Sequence, residues 1–132
     1  MLKKRIIFTL LYDRGNFMLS RNFRLQRVGS IEWLQKHYDF SQISFYIDEL
    51  IVLDVTRGGR DTESFCQVLR ALTNGCFVPI AAGGGVETYE HALALLRSGA
   101  DKIVVNSSIF DHPQFVHELC RKFGQQCVVG SV

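Results

Sequence analysis

Two short polar segments and one acid hold most of the chemical potential of this 132-residue chain. Gly83-Gly84-Gly85 exposes backbone N–H groups with no side chain in the way, and it runs toward a helix whose start favours an anion. Asn106-Ser107-Ser108 adds amide and hydroxyl donors. Together they form half of a cradle for a phosphate or hydroxyl group. A tight strand-to-helix turn would use the same three glycines. The run is not G-x-G-x-x-G and follows the third apolar run, which weakens a dinucleotide reading. Asp54 closes an apolar run, where a carboxylate is costly to bury alone. It is either a functional group at a rim or a partner of Arg57 or Arg60. The cysteines at 66, 76, 120 and 127 have no C-x-x-C spacing, and the histidines at 37, 91, 112 and 117 do not complete a zinc set. Free thiols are therefore expected, with no metal and no cofactor.

The elements that must position these groups alternate along the chain. Apolar runs predict strands over Arg5–Leu11, Glu49–Val55, Phe77–Ala82, Lys102–Val105 and, at the end, Cys127–Val132. Asp13-Arg14-Gly15-Asn16 reads as a turn. Helices are expected from Ser30, a good N-cap, and over Thr62–Leu72, Glu87–Arg97 and Pro113–Phe123, with Gly124 just past the last. Strands apolar on both faces, alternating with helices, mean a parallel α/β sheet. An open doubly wound sheet competes with a (β/α)8 barrel, which takes about 250 residues. Four βα units and part of a fifth strand make an N-terminal half-barrel, so residues 1–132 read as one domain truncated from such a barrel. The alternative is a self-associating half-barrel in which two copies close one barrel.

In such folds the working ends are the C-terminal ends of the strands, which bear Asp54, the glycine run and Asn106-Ser107-Ser108. The opposite ends carry Arg5, Asp48-Glu49 and Asp101-Lys102. Charges there usually serve solubility. In a closed barrel, however, alternate residues point inward, and Arg5, Glu49 and Lys102 would meet on the axis.

The composition excludes several classes. Hydrophobic residues make up 47% and charged residues 21%, which is globular and not disordered. A net charge of +2 argues against an electrostatic nucleic-acid binder. No apolar run approaches a membrane span. The start, Met1 to Phe8, is basic then apolar, but Asp13-Arg14-Gly15 breaks it without a cleavage site, so a buried strand of a cytoplasmic protein is expected.

Several blocks in register, KKRII, IDELIVLDVT, AAGGGVETYEHA, SGADKIVVNSS and KFGQQCVV, resemble the cyclase subunit of imidazole glycerol phosphate synthase. The resemblance runs from Met1 to Val132 and matches the first half of that barrel. It implies a lyase that takes ammonia from a partner glutaminase. Arg5, Glu49 and Lys102 match three members of the family's ammonia gate, and Asp101 matches a residue of its glutaminase-docking face. Asp54, Gly84, Gly85, Asn106 and Ser107 match its substrate and phosphate site. Two departures stand out. Leu11 occupies the place of a catalytic aspartate and cannot move a proton. Asp13, of the same strand parity, would substitute only through a local register shift. A family lysine after the first strand is also missing from Asn16–Arg21, where Arg21 is the only cation.

Leu10-Leu11 and Asn22–Gly29 resemble the cyclase-like paralogues associated with acetamidino modification of surface sugars. That resemblance implies ammonia-dependent amidation of a nucleotide-linked sugar, with a phosphorylated or sugar-nucleotide ligand. The alternatives are the histidine-pathway cyclase and an inactive half-barrel that serves as an interaction module. The isolated half is expected to be inactive and poorly stable.

Overall fold

The computed structural model describes residues 3–132, with the side chain of Phe40 left out. Met1 and Leu2, which begin the basic-then-apolar start, lie outside it. Among the described residues, seven strands form one sheet: β1 (Ile7–Asp13), β2 (Asn16–Arg21), β3 (Arg24–Gly29), β4 (Glu49–Asp54), β5 (Ile80–Gly83), β6 (Lys102–Val105) and β7 (Val128–Gly130). Their order is β3-β2-β1-β4-β5-β6-β7. Strands β1, β4, β5, β6 and β7 run parallel, while β1, β2 and β3 are antiparallel. The parallel part is four βα units followed by a fifth strand, the architecture of half a (β/α)8 barrel.

The helices are α1 (Ile31–His37), α2 (Phe40–Ile43), α3 (Thr62–Gly75), α4 (Tyr89–Arg97), α5 (Ser107–Asp111) and α6 (Pro113–Phe123). Their starts follow from side-chain caps. The Ser30 hydroxyl accepts the Trp33 N–H, Asp61 accepts the N–H groups of Glu63 and Ser64, and Thr88 accepts that of His91. Pro113 occupies the first turn of α6, and Gly124 follows its end as expected.

Strand alternation sorts the side chains into two layers. Leu50, Val52, Ile80, Ala82, Ile103 and Val105 are buried in one core with Phe65, Leu69 and Leu72 of α3, Leu95 of α4 and Leu119 of α6. Of the other parity, Glu49, Ile51, Leu53 and Lys102 are only partly buried and Ile7 is 42% exposed, while Ala81 and Val104 in the middle of the sheet are buried. This second face corresponds to the inside of a barrel.

Several boundaries move for identifiable reasons. The first strand begins at Ile7, not Arg5, because the Ile6 carbonyl receives the N–H of Asp48 in a connection outside the regular ladder. The third parallel strand begins at Ile80, since Pro79 has no N–H to give and Phe77 is 86% exposed. The helix expected from Glu87 begins at Tyr89, because Thr88 is its cap. The last strand is shortened by a tight turn over Gln125–Cys127.

The largest difference lies after β1. Arg14 (φ +46°) and Gly15 (φ +84°) form the expected turn, in the geometry of a two-residue hairpin. That turn starts an unexpected antiparallel excursion, β2 and β3, joined by Asn22 (φ +53°) and Phe23 (φ +60°). The short helix α5 is also additional. All four cysteines are free thiols, as expected.

Candidate functional site

At the C-terminal ends of β4, β5 and β6 lies a cavity of about 250 Å³. Asp54, Gly84, Gly85, Asn106 and Ser107 all line it. The residues proposed for a phosphate cradle are thus brought together from three strand ends separated by 30 and 22 residues of chain.

Glycine is obligatory at the floor of this cavity. Gly84 has φ +119°, and a Cβ there would collide with the backbone carbonyl of Asp54. Gly85, at φ +62°, is packed against the guanidinium of Arg60. The helix behind this loop contributes less than expected. Val86, Glu87 and Thr88 separate the glycines from α4, and the Thr88 hydroxyl already accepts the His91 N–H at 3.1 Å.

Asp54 is 5% exposed. It shares the parity of Leu50 and Val52, so its carboxylate turns toward the helix layer and not onto the open face. The buried Thr56 donates its N–H to Asp54 Oδ1 at 2.9 Å. Neither Arg57 nor Arg60 comes within ion-pair range of it. The pairing alternative for Asp54 is therefore absent, and Asp54 lines the cavity without an ion-pair partner.

The three donors of Asn106-Ser107-Ser108 divide their work. Asn106 precedes α5 without a side-chain capping bond, and it and Ser107 are exposed at the cavity. Ser108 is 4% exposed and donates its hydroxyl to the Val86 carbonyl at 2.6 Å. Ser108 is thus a clip between two loops and not a ligand donor.

Sequence reasoning missed His91 and set Arg60 aside as a partner for Asp54. Burial pushes His91 below its ordinary value of 6.5; the Gly85 carbonyl and the Asp54 carboxylate oppose that shift, and the Arg60 charge adds to it. The signal available was position: Arg60 follows Asp54 by six residues and His91 follows Gly85 by six, both in the segments leaving the strands.

Leu11 and Asp13 lie on the open face of β1. Leu11 stands opposite Leu53 of β4, and the register between these strands is unbroken from Ile7 to Tyr12. Asp13 pairs with Asn16 in the hairpin. Its Oδ1 is shielded without a hydrogen-bond partner, with Arg14 Nε 4.0 Å away. The local shift that would bring Asp13 to the place of Leu11 is not present. The Asn16–Arg21 stretch is strand β2, and Arg21 lies at the far end of the hairpin opposite Arg24.

At the other end of the sheet, Arg5 Nη1 lies 2.5 Å and Lys102 Nζ 3.4 Å from Glu49 Oε1. Two cations from different strand ends share one carboxylate oxygen. Lys102 reaches Glu49 across β5, where its neighbour is the small Ala81. The exposures of the three side chains are 56% for Arg5, 31% for Lys102 and 13% for Glu49. Asp101 is exposed, but its Oδ2 accepts the Ile80 N–H at 2.8 Å. Asp48 does the same for Ile6 at 2.7 Å. Each acid ties the start of its own strand to the start of a neighbouring one.

Among the described residues no cluster of His, Cys, Asp and Glu is arranged to hold a metal, and no helix is long and apolar enough to cross a membrane.

Known proteins carry the same pattern. A protein of Parasynechococcus marenigrum, provisionally named imidazole glycerol phosphate synthase subunit hisF2, is 47% identical over 132 residues, covering 100% of this chain and 49% of that relative. The imidazole glycerol phosphate synthase subunit HisF of Streptococcus sanguinis is 36% identical over 134 residues, covering 100% of this chain and 51% of the relative. The HisF subunit of Corynebacterium urealyticum is 40% identical over 129 residues, covering 97% and 49%. The chain spans about half the length of the curated relatives it matches. Residues 32–132 match the family described as histidine biosynthesis protein, and the chain belongs to that family.

Proposed function

We propose that this chain forms one half-barrel domain of an ammonia-using synthase subunit of the imidazole glycerol phosphate synthase cyclase type, within a barrel of about 250 residues. The observation that carries this reading is the division of labour between the two ends of one sheet. A glycine-floored cavity with Asp54, Asn106 and Ser107 lies at one end, and the Arg5–Glu49–Lys102 cluster at the other. The cavity suits a phosphate of a small substrate, bound by backbone N–H groups and the Asn106 and Ser107 side chains. The charged cluster suits a gate through which ammonia enters from a glutaminase docked near Asp101. Between them, Ile51, Leu53, Ala81 and Val104 offer an apolar wall. Neutral ammonia passes such a wall at far less cost than ammonium. The enzyme works in the cytoplasm, and no metal or organic cofactor is needed.

Leu11 favours amidation of a nucleotide-linked surface sugar over the histidine-pathway cyclisation, because leucine neither donates nor accepts a proton. The histidine reading has equal support from the names of the relatives, but it needs another group, or a shift of register at Asp13, to take the acid's part. Complementation of a histidine auxotroph by the whole protein with its glutaminase separates the two. Growth would support the histidine-pathway cyclase. Failure to grow, with ammonia still consumed on a sugar nucleotide, would support amidation. Binding of glutaminase with no ammonia consumed on either substrate would leave only an interaction module.

A further inference from the structure

We propose that Arg60 is a ligand-binding residue of the cavity, supplying the positive charge that a phosphate meets beside Gly84 and Gly85. This rests on the phosphate reading of the cavity and names a group that the motif match does not include.

Arg60 lines the cavity together with Gly85 and Glu87. Its guanidinium lies so close to Gly85 that any side chain there would overlap Nη1 and Cζ. The backbone under it is anchored, because the next residue, Asp61, caps α3 through the N–H groups of Glu63 and Ser64 at 3.1 and 3.2 Å. The guanidinium is out of ion-pair range of every described carboxylate, and the residue is open to solvent. Its hydrogen-bonding fork is therefore available.

The charges on the wall favour a role for this cation. Asp54 and Glu87 put two carboxylates on the cavity wall, whereas Gly84, Gly85, Asn106 and Ser107 offer only neutral donors. Without Arg60 a phosphate would meet two carboxylates and no cation; with it the wall keeps one net negative charge but gains a cation beside Gly85. A planar guanidinium matches a phosphate through two parallel N–H···O bonds, stronger than neutral ones. Arg57, on the same loop, is absent from the cavity lining.

The test is a titration of ¹⁵N-labelled protein with inorganic phosphate, followed by the Gly84 and Gly85 amides and the Arg60 Nε–H signal. All three are expected to shift with one dissociation constant. Arg60→Gln should raise that constant at least about tenfold. Arg60→Lys, which keeps the charge and loses the fork, should fall between. Should the glycine amides shift while Arg60 Nε–H stays still and Arg60→Gln binds like the wild type, the inference is overturned and the phosphate cavity stands. Glycine amides that do not respond in the wild type would bring down the phosphate reading and Arg60's role with it. The Arg60 Nε–H signal needs no variant, so a folding defect in Arg60→Gln does not hide the answer.

Discussion

Gly84 shows how strongly one backbone position constrains the cavity. Its φ of +119° and its approach to the Asp54 carbonyl leave no room for a methyl group. Gly84→Ala should destabilise the fold by about 2 kcal/mol or more, read as a lowered urea midpoint, since strain and overlap add. An unchanged midpoint would mean that the loop relaxes freely. His91 behaves differently. Burial lowers its proton affinity below the ordinary 6.5, so the unfolded chain binds the proton more readily than the folded one. The stability it contributes is present in full above about pH 6.5 and is lost as the pH falls through its depressed folded value. Urea melts from about pH 8 to about pH 5 should show that loss, and His91→Gln should flatten it. A slope unaltered by the substitution would assign it to other groups.

At the scale of the element, the caps and the hairpin are the places to probe. The Asp61 side chain meets two otherwise unpaired N–H groups at the start of α3, the helix that delivers Phe65, Leu69 and Leu72 to the core. Asp61→Ala should cost about 1 kcal/mol, measured by denaturant melts. The β2–β3 hairpin carries the opposite lesson. Phe23 sits at its tip with φ +60° and 98% exposure, a strained conformation without compensating burial. Phe23→Gly should stabilise the hairpin by about 1 kcal/mol, because a two-residue turn with both residues in the left-handed region favours Asn-Gly. A loss of stability instead would mean that Phe23 packs on something in the folded state.

Across the whole molecule, the sheet links two polar ends through one apolar layer. The Arg5–Glu49–Lys102 cluster joins residues 44 and 53 positions apart in the chain. Its members are partly solvated, so it stabilises little: Glu49→Gln should shift the free energy of unfolding by less than about 1 kcal/mol. In the whole protein the same substitution should impair glutaminase-coupled turnover while leaving turnover with added ammonia near normal. Equal loss in both assays would count against a gate. A stability loss well above that figure would make the cluster a structural clamp.

The parallel α/β class, the helix over Pro113–Phe123 and the strand over Lys102–Val105 were legible in the residues, because local periodicity and capping chemistry dictate them. So was the grouping of the cavity's lining residues and of the charged cluster, since residues at corresponding strand ends of a parallel sheet must come together. The β2–β3 hairpin was not legible: its strands are largely exposed, so no buried face imposes a two-residue period. Tertiary structure alone decided that Asp54 is free of Arg57 and Arg60, that Ser108 is a clip, and that Arg60 lies on Gly85. Each of these depends on where a side chain from one strand end points relative to the backbone of another. Spacing along the chain carries no information about that direction.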